Sequence, residues 1–166
     1  MSEPIWLKKA RTYIGTAEIP GAATSGTISR WLLDLKAWWR DDETPWCGVF
    51  VAACMKEAGL TVLPVHWYRA KGWLDWGQVL LAPAVGCVVV FERKGGGHVG
   101  LVVGRDSTGN LMVLGGNQGN RVSIMAFEMG RVIGYRWPNE PGVHFSAPNR
   151  ELPVVAVAGM VSKQEG

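Results

Sequence analysis

Gly86-Cys87-Val88-Val89-Val90-Phe91-Glu92, followed by His98-Val99-Gly100-Leu101-Val102-Val103-Gly104, is where the chain changes its period. Before Pro83, apolar residues recur every three or four positions. From residue 86 they come in short runs bounded by turn residues, which is how half-buried or buried strands read. Further runs at 111–114, 121–127 and 131–137 bring the expected strands to five. Asp106-Ser107-Thr108-Gly109-Asn110 and Gln118-Gly119-Asn120 supply turn chemistry between them. Helices first and a meander second predict an α+β domain, with N-terminal helices packed on an antiparallel sheet of five or six strands.

Upstream, Thr44-Pro45 predicts a helix start, with Thr as N-cap and Pro as the first helical residue, and Gly59 closes it. Between them Val49-Phe50-Val51-Ala52-Ala53-Cys54-Met55 is apolar all round, so this helix is expected to be buried. A second helix is expected over 27–39, where Ile28, Trp31, Leu32, Leu35, Trp38 and Trp39 form one stripe. Another is expected over 3–14, capped by Ser2 with Pro4 in its first turn, before a turn at Glu18-Ile19-Pro20-Gly21. A fourth spans about 64–76 and contains Tyr68, Trp73 and Leu74. Pro138, Pro141, Pro148 and Pro153 break the pattern afterwards. We therefore expect one domain over 1–138 and an extended C-terminal tail over 139–166, with residues 154–158 docking back on the domain or, as the second alternative, binding a partner.

The 166 residues are 48% hydrophobic and 19% charged, which excludes a disordered chain. A formal charge of +3, with scattered Lys and Arg, gives no basis for a nucleic-acid partner. No apolar run is long enough for a membrane span. The start, Met1-Ser2-Glu3-Pro4-Ile5-Trp6, lacks a basic segment followed by an apolar one. Synthesis in the cytoplasm without a signal peptide is the expectation. Three cysteines make no disulfide framework, and their spacings fit no zinc pattern, so no metal and no cofactor are expected.

Cys47 falls in the first turn of the expected third helix, where free N–H groups and the positive end of the dipole favour a thiolate. Cys54 and Cys87 lie inside apolar runs and read as core. A thiolate nucleophile needs a base. His98 follows Gly95-Gly96-Gly97 and opens a strand, whereas His66 and His144 lie in weaker contexts. A base needs an orienter. Segments 98–104 and 111–117 have matched length, so antiparallel pairing sets Asn117 near His98, with Gln118 as a substitute. The catalytic set read from the sequence is Cys47, His98 and Asn117.

Asp42-Glu43-Thr44-Pro45-Trp46-Cys47, Gly96-Gly97-His98-Val99-Gly100, Gly115-Gly116-Asn117-Gln118 and Gly134-Tyr135-Arg136-Trp137-Pro138 occur in that order. Together they resemble the papain-like cysteine amidases of the CHAP and NlpC type, and more closely phage-encoded cell-wall hydrolases, over about residues 5–138. The resemblance implies a papain-like fold and a peptidoglycan hydrolase that cuts a stem-peptide amide through a Cys-His-Asn thiol mechanism. Many CHAP domains carry an acidic residue two positions before the Asn, where this chain has Gly115. The bond could be that of an N-acetylmuramoyl-L-alanine amidase or of an endopeptidase. In the expected groove Trp46, Trp67 and Trp73 meet sugar or stem peptide, Asp42 and Glu43 meet a substrate amine, Gly97 lets the substrate backbone approach, and Gln118 lines the same end. Peptidoglycan is then the polymer partner, met in the periplasm by a monomer that a holin or an injection apparatus delivers. In the second case an inhibitor protein would accompany it. The rival expectations are a non-catalytic wall-binding or phage structural module, and an acyltransferase or transamidase built on the same triad.

Overall fold

Among the described residues three α-helices precede the sheet. The computed structural model describes residues 3–19, 25–40 and 44–156. Helix α1 (Ile5–Arg11) follows Pro4 at its N-cap and buries Trp6, Leu7 and Ala10. Ser2 and the Pro20-Gly21 half of the expected turn lie outside the described residues. Helix α2 (Gly26–Asp34) is capped by Ser25, whose hydroxyl accepts from the Ile28 N–H, and buries Ile28, Trp31 and Leu32.

Helix α2 stops five residues short of the expected end. Lys36 takes a left-handed conformation at φ 59°. The Ala37 N–H bonds Leu32 O and the Lys36 N–H bonds Leu33 O. This pair of bonds is a Schellman closure. Glycine usually signals such an ending; with lysine in its place the apolar stripe reads straight through. Trp38 consequently leaves the stripe and stands 73% exposed.

Helix α3 (Cys47–Glu57) is buried from Cys47 through Met55 and packs between α1, α2 and the sheet. It begins two residues after the expected first position. Trp46 occupies the N-cap because its indole is drawn into the core beside Trp31, at a centroid distance of 6.2 Å, and donates to Glu18 Oε1 at 2.7 Å. Gly59 closes it with φ 96°, as its position predicts.

The expected helix over 64–76 is instead a set of turns followed by a 3-10 segment, Ala70–Asp75. The chain doubles back tightly here: a Cβ on Gly72 would overlap the carbonyl of His66. A continuous helix could not make that contact. Trp73 is fully buried as a result.

Six strands follow: β1 (Gln78–Leu80), β2 (Val88–Arg93), β3 (Gly96–Arg105), β4 (Leu111–Gly115), β5 (Ser123–Phe127) and β6 (Val132–Trp137). They form one antiparallel sheet in the order β1-β6-β2-β3-β4-β5. The α+β class and the antiparallel sheet agree with the sequence. Strand β1 is the one the periodicity does not reveal, since three residues are too few to display alternation. The segment after β6 lies against the domain as far as residue 156. Glu140 is buried and accepts from the N–H groups of Thr61 (2.7 Å) and Val62 (2.6 Å). The Trp137 indole donates to Ser146 O, the Val85 N–H bonds Asn149 O, and Val154 bridges Arg105 in parallel.

Candidate active site

Cys47 is the first residue of α3, an eleven-residue helix whose N-cap offers no side-chain bond. The amides of the first turn therefore point at the sulfur's surroundings without an intrahelical partner. Strand β3, which packs on α3, brings in His98. The imidazole hydrogen-bonds the thiol. Both groups are largely buried, with 8% of Cys47 and 1% of His98 exposed.

Burial alone pushes the Cys47 thiol up. The His98 hydrogen bond and charge, a bond from the Val99 backbone and the charge of Arg93 act the other way, and the net direction is down. Cys54 and Cys87 lack such a neighbour. Burial raises Cys54 well above the ordinary thiol value and pushes Cys87 up to about 12. Of the three sulfurs, Cys47 is the one whose surroundings ease it toward the thiolate.

The far side of the imidazole is held by Gln118, not by Asn117. His98 Nε2 lies 3.0 Å from Gln118 Oε1. The same side chain donates through Nε2 to Val113 O at 3.1 Å and to Ser123 O at 2.8 Å. Two carbonyls take both amide N–H groups, so the amide oxygen faces the ring and can only accept. His98 Nε2 must then carry the proton. Nδ1 is left to face the thiol, in the tautomer a base requires.

Asn117 fails as orienter because the chain leaves the strand before reaching it. The β3–β4 register pairs Leu101 with Leu114 and Val102 with Val113, and continuing it would set residue 117 opposite residue 98. Strand β4 ends at Gly115, however, and Gly116 packs on Trp46, where a Cβ would lie 2.7 Å from the indole. Asn117 turns into the left-handed region at φ 62°, and its buried Oδ1 has no hydrogen-bond partner among the described residues. Gly115 explains how Gln118 reaches the ring. A Cβ on Gly115 would overlap Gln118 Oε1 and lie 3.3 Å from His98 Nε2. The glutamine amide thus fills the space that a side chain at position 115 would take.

Behind the imidazole is an aromatic stack. Phe127 lies parallel to His98 at 5.4 Å and 7°, and Phe91, opposite His98 in the β2–β3 ladder, lies 4.5 Å from Phe127. The Arg131 guanidinium covers both phenyl rings at 5.6–5.8 Å. The sequence singles out none of these three residues, because a stack of rings from β2, β5 and the segment before β6 is a tertiary fact with no local pattern.

The expected groove residues separate. Trp46 and Trp73 are core, 1% and 0% exposed, each with its indole N–H satisfied inside the protein. Gly97 does not open a path for substrate: a Cβ there would touch Phe91 O and the stem of Lys71, which is paired with Glu92 at 3.0 Å. Gln118 turns inward to the imidazole. Trp67 is half-buried and stacks on Trp39 at 6.1 Å. Asp42 and Glu43 lie outside the described residues. Among the described residues no group of His, Cys, Asp and Glu could hold a metal, and no helix is long and apolar enough to cross a membrane.

A thiol held beside a base, a base fixed in one tautomer and a helix N-terminus at the sulfur are the parts that nucleophilic acyl transfer uses. No curated protein and no solved structure matches the chain. Residues 39–117, which carry Cys47 and His98 and end one residue before Gln118, match the family model of the CHAP domain.

Proposed function

We propose that the protein is a cysteine-dependent peptidoglycan hydrolase that cleaves an amide bond of the stem peptide. The observation that carries this reading is the Cys47–His98–Gln118 relay, with the sulfur at the first residue of α3. The match to the CHAP domain supports peptidoglycan hydrolase or amidase chemistry in general.

In this mechanism Cys47 Sγ attacks the amide carbonyl while His98 Nδ1 holds the thiol proton. The C–S bond forms as the carbonyl π bond opens, and the backbone N–H of Cys47 stabilises the oxyanion. When the C–N bond breaks, His98 returns the proton to the leaving amine. Water, deprotonated by the same imidazole, then attacks the thioester, and the carboxylate product leaves with Cys47 restored as the thiol. Gln118 accepts from Nε2 throughout and keeps the ring in place. The protein acts as a monomer on the cell wall and requires no cofactor.

The test is clearing of a peptidoglycan suspension, with mass analysis of the released fragments to name the bond. Wild-type protein should release new amine and carboxylate ends in equal amounts. Cys47→Ala should release none while keeping its melting temperature. Full activity in Cys47→Ala would overturn the assignment.

A further inference from the structure

Four aromatic rings that the chemical step does not use gather next to the N-terminus of α3. Trp38, 73% exposed, meets Trp39 edge-on at 4.8 Å and Tyr68 edge-on at 4.7 Å. Trp39 lies nearly parallel to Trp67, at 6.1 Å and 20°. The group is held from beneath. The Trp67 carbonyl accepts from the buried Trp73 indole at 3.0 Å, the Tyr68 hydroxyl lies 2.9 Å from His66 Nδ1, and the Arg69 guanidinium lies 5.6 Å from the Tyr68 ring.

Two further observations say what this platform is for. The Trp39 indole N–H is buried, without an acceptor among the described residues, so what the platform offers outward is ring surface and not that donor. The platform is also joined to the nucleophile: the Trp67 and Tyr68 carbonyls lie 2.5 and 3.2 Å from where a Cβ on Gly48 would be, one residue after Cys47. A groove of about 710 Å³ continues from Trp67 past Leu63 and Pro64 to Lys56 and Asp34.

A sugar ring matches these features. Its C–H face packs on aromatic faces, and its rim carries hydroxyls and, in an acetamido sugar, an amide whose carbonyl can accept from the exposed Arg69 guanidinium beside the Tyr68 ring. A membrane surface would want a larger apolar patch than one bordered by His66, Arg69 and Lys36.

We propose that Trp38, Trp39, Trp67 and Tyr68 form a saccharide subsite that stacks an N-acetylated amino-sugar ring of the glycan bearing the cleaved stem peptide. This rests on the function proposed above and adds that the enzyme reads the sugar as well as the peptide.

The experiment compares two soluble substrates, a glycan-linked muropeptide and the same stem peptide capped by the lactoyl group alone, which keeps every amide bond but carries no sugar ring, using wild-type protein and Trp38→Ala. Trp38 is exposed, so its removal should leave the fold intact. The ratio of KM for the glycan-linked substrate to KM for the free peptide should rise about tenfold in the variant, the loss of one stacked aromatic contact. Separately, tri-N-acetylchitotriose should shift the indole fluorescence of Cys47→Ala protein in a saturable way, and Trp38→Ala in that background should abolish the shift. An unchanged KM ratio, or no saturable shift with the chitotriose, overturns the subsite. Because sugar binding is read without turnover, failure of hydrolysis on both substrates would count against the proposed activity and not against the platform.

Discussion

Replacing Gln118 by Ala separates the two candidate orienters. The side chain accepts from His98 Nε2 at 3.0 Å and donates to Val113 O and Ser123 O. With each buried bond worth about 1 kcal/mol, the variant should lose about 3 kcal/mol of stability. For a chain of this size that is a fall in Tm of roughly 6–12 °C. The catalytic cost is set by the bond to the imidazole, which carries a charge once the thiol has given up its proton. A bond to a charged group is worth about 1.5–3 kcal/mol, so kcat/KM should fall about 10- to 150-fold. Asn117→Ala removes no hydrogen bond to the imidazole among the described residues and should stay within about threefold of wild type. Gln118→Glu keeps an oxygen toward the ring but turns acceptors onto two carbonyls, so it should lose more stability than Gln118→Ala. The assay is hydrolysis of a soluble muropeptide beside a thermal melt, with the pH midpoint of Cys47 alkylation as the reading a purely structural role would not move. Losing the Nε2 partner destabilises the imidazolium, so that midpoint should rise. A larger kcat/KM loss in Asn117→Ala than in Gln118→Ala would refute the assignment.

Three further outcomes are expected. Iodoacetamide should label Cys47 with a pH midpoint below that of an ordinary thiol; in His98→Ala burial is less opposed, so the midpoint should move up, and a midpoint that stays put would count against the pair. Gly115→Ala places a methyl against Gln118 Oε1, which two carbonyls hold in place; it should cost about 1–3 kcal/mol by thermal melt and reduce kcat more than it changes KM. Gly48→Ala drives a Cβ to 2.5 Å from Trp67 O, a backbone atom; a destabilisation of about 1–3 kcal/mol is expected, and a wild-type melt would show that the 67–68 segment moves freely.

Much of the frame is legible in the chain because it rests on local rules. The apolar run 49–55 and Gly59 announce α3, and the change of period after Pro83 announces the sheet. Cys47 and His98 are legible too, one from the entrance to a helix and the other from the glycines before a strand. The orienter is not. Pairing register correctly aims residue 117 at residue 98, but the strand ends early because Gly116 must pass under Trp46. The amide that reaches the ring comes from one residue further on, through space left open at Gly115. Trp38 is misread for a related reason: Lys36 closes α2 in a conformation usually reserved for glycine, so a stripe that looks continuous is cut in two. The groove tryptophans cannot be sorted from sequence, since Trp46 and Trp73 on one side and Trp38 on the other differ only in what the tertiary packing leaves uncovered.

The phenyl ring of Phe127 lies flat along one face of His98, while Gln118 occupies the imidazole's outer nitrogen. Hydrocarbon has no lone pair to lend, and an amide oxygen is far too weak a base to take the proton that Nε2 shares with it. A proton picked up on the inner nitrogen therefore has nowhere to drain except back toward the sulfur or forward onto the departing amine. In the proposed mechanism the surroundings thus keep that hydrogen on the reacting atoms without any moving part, by denying it a third destination.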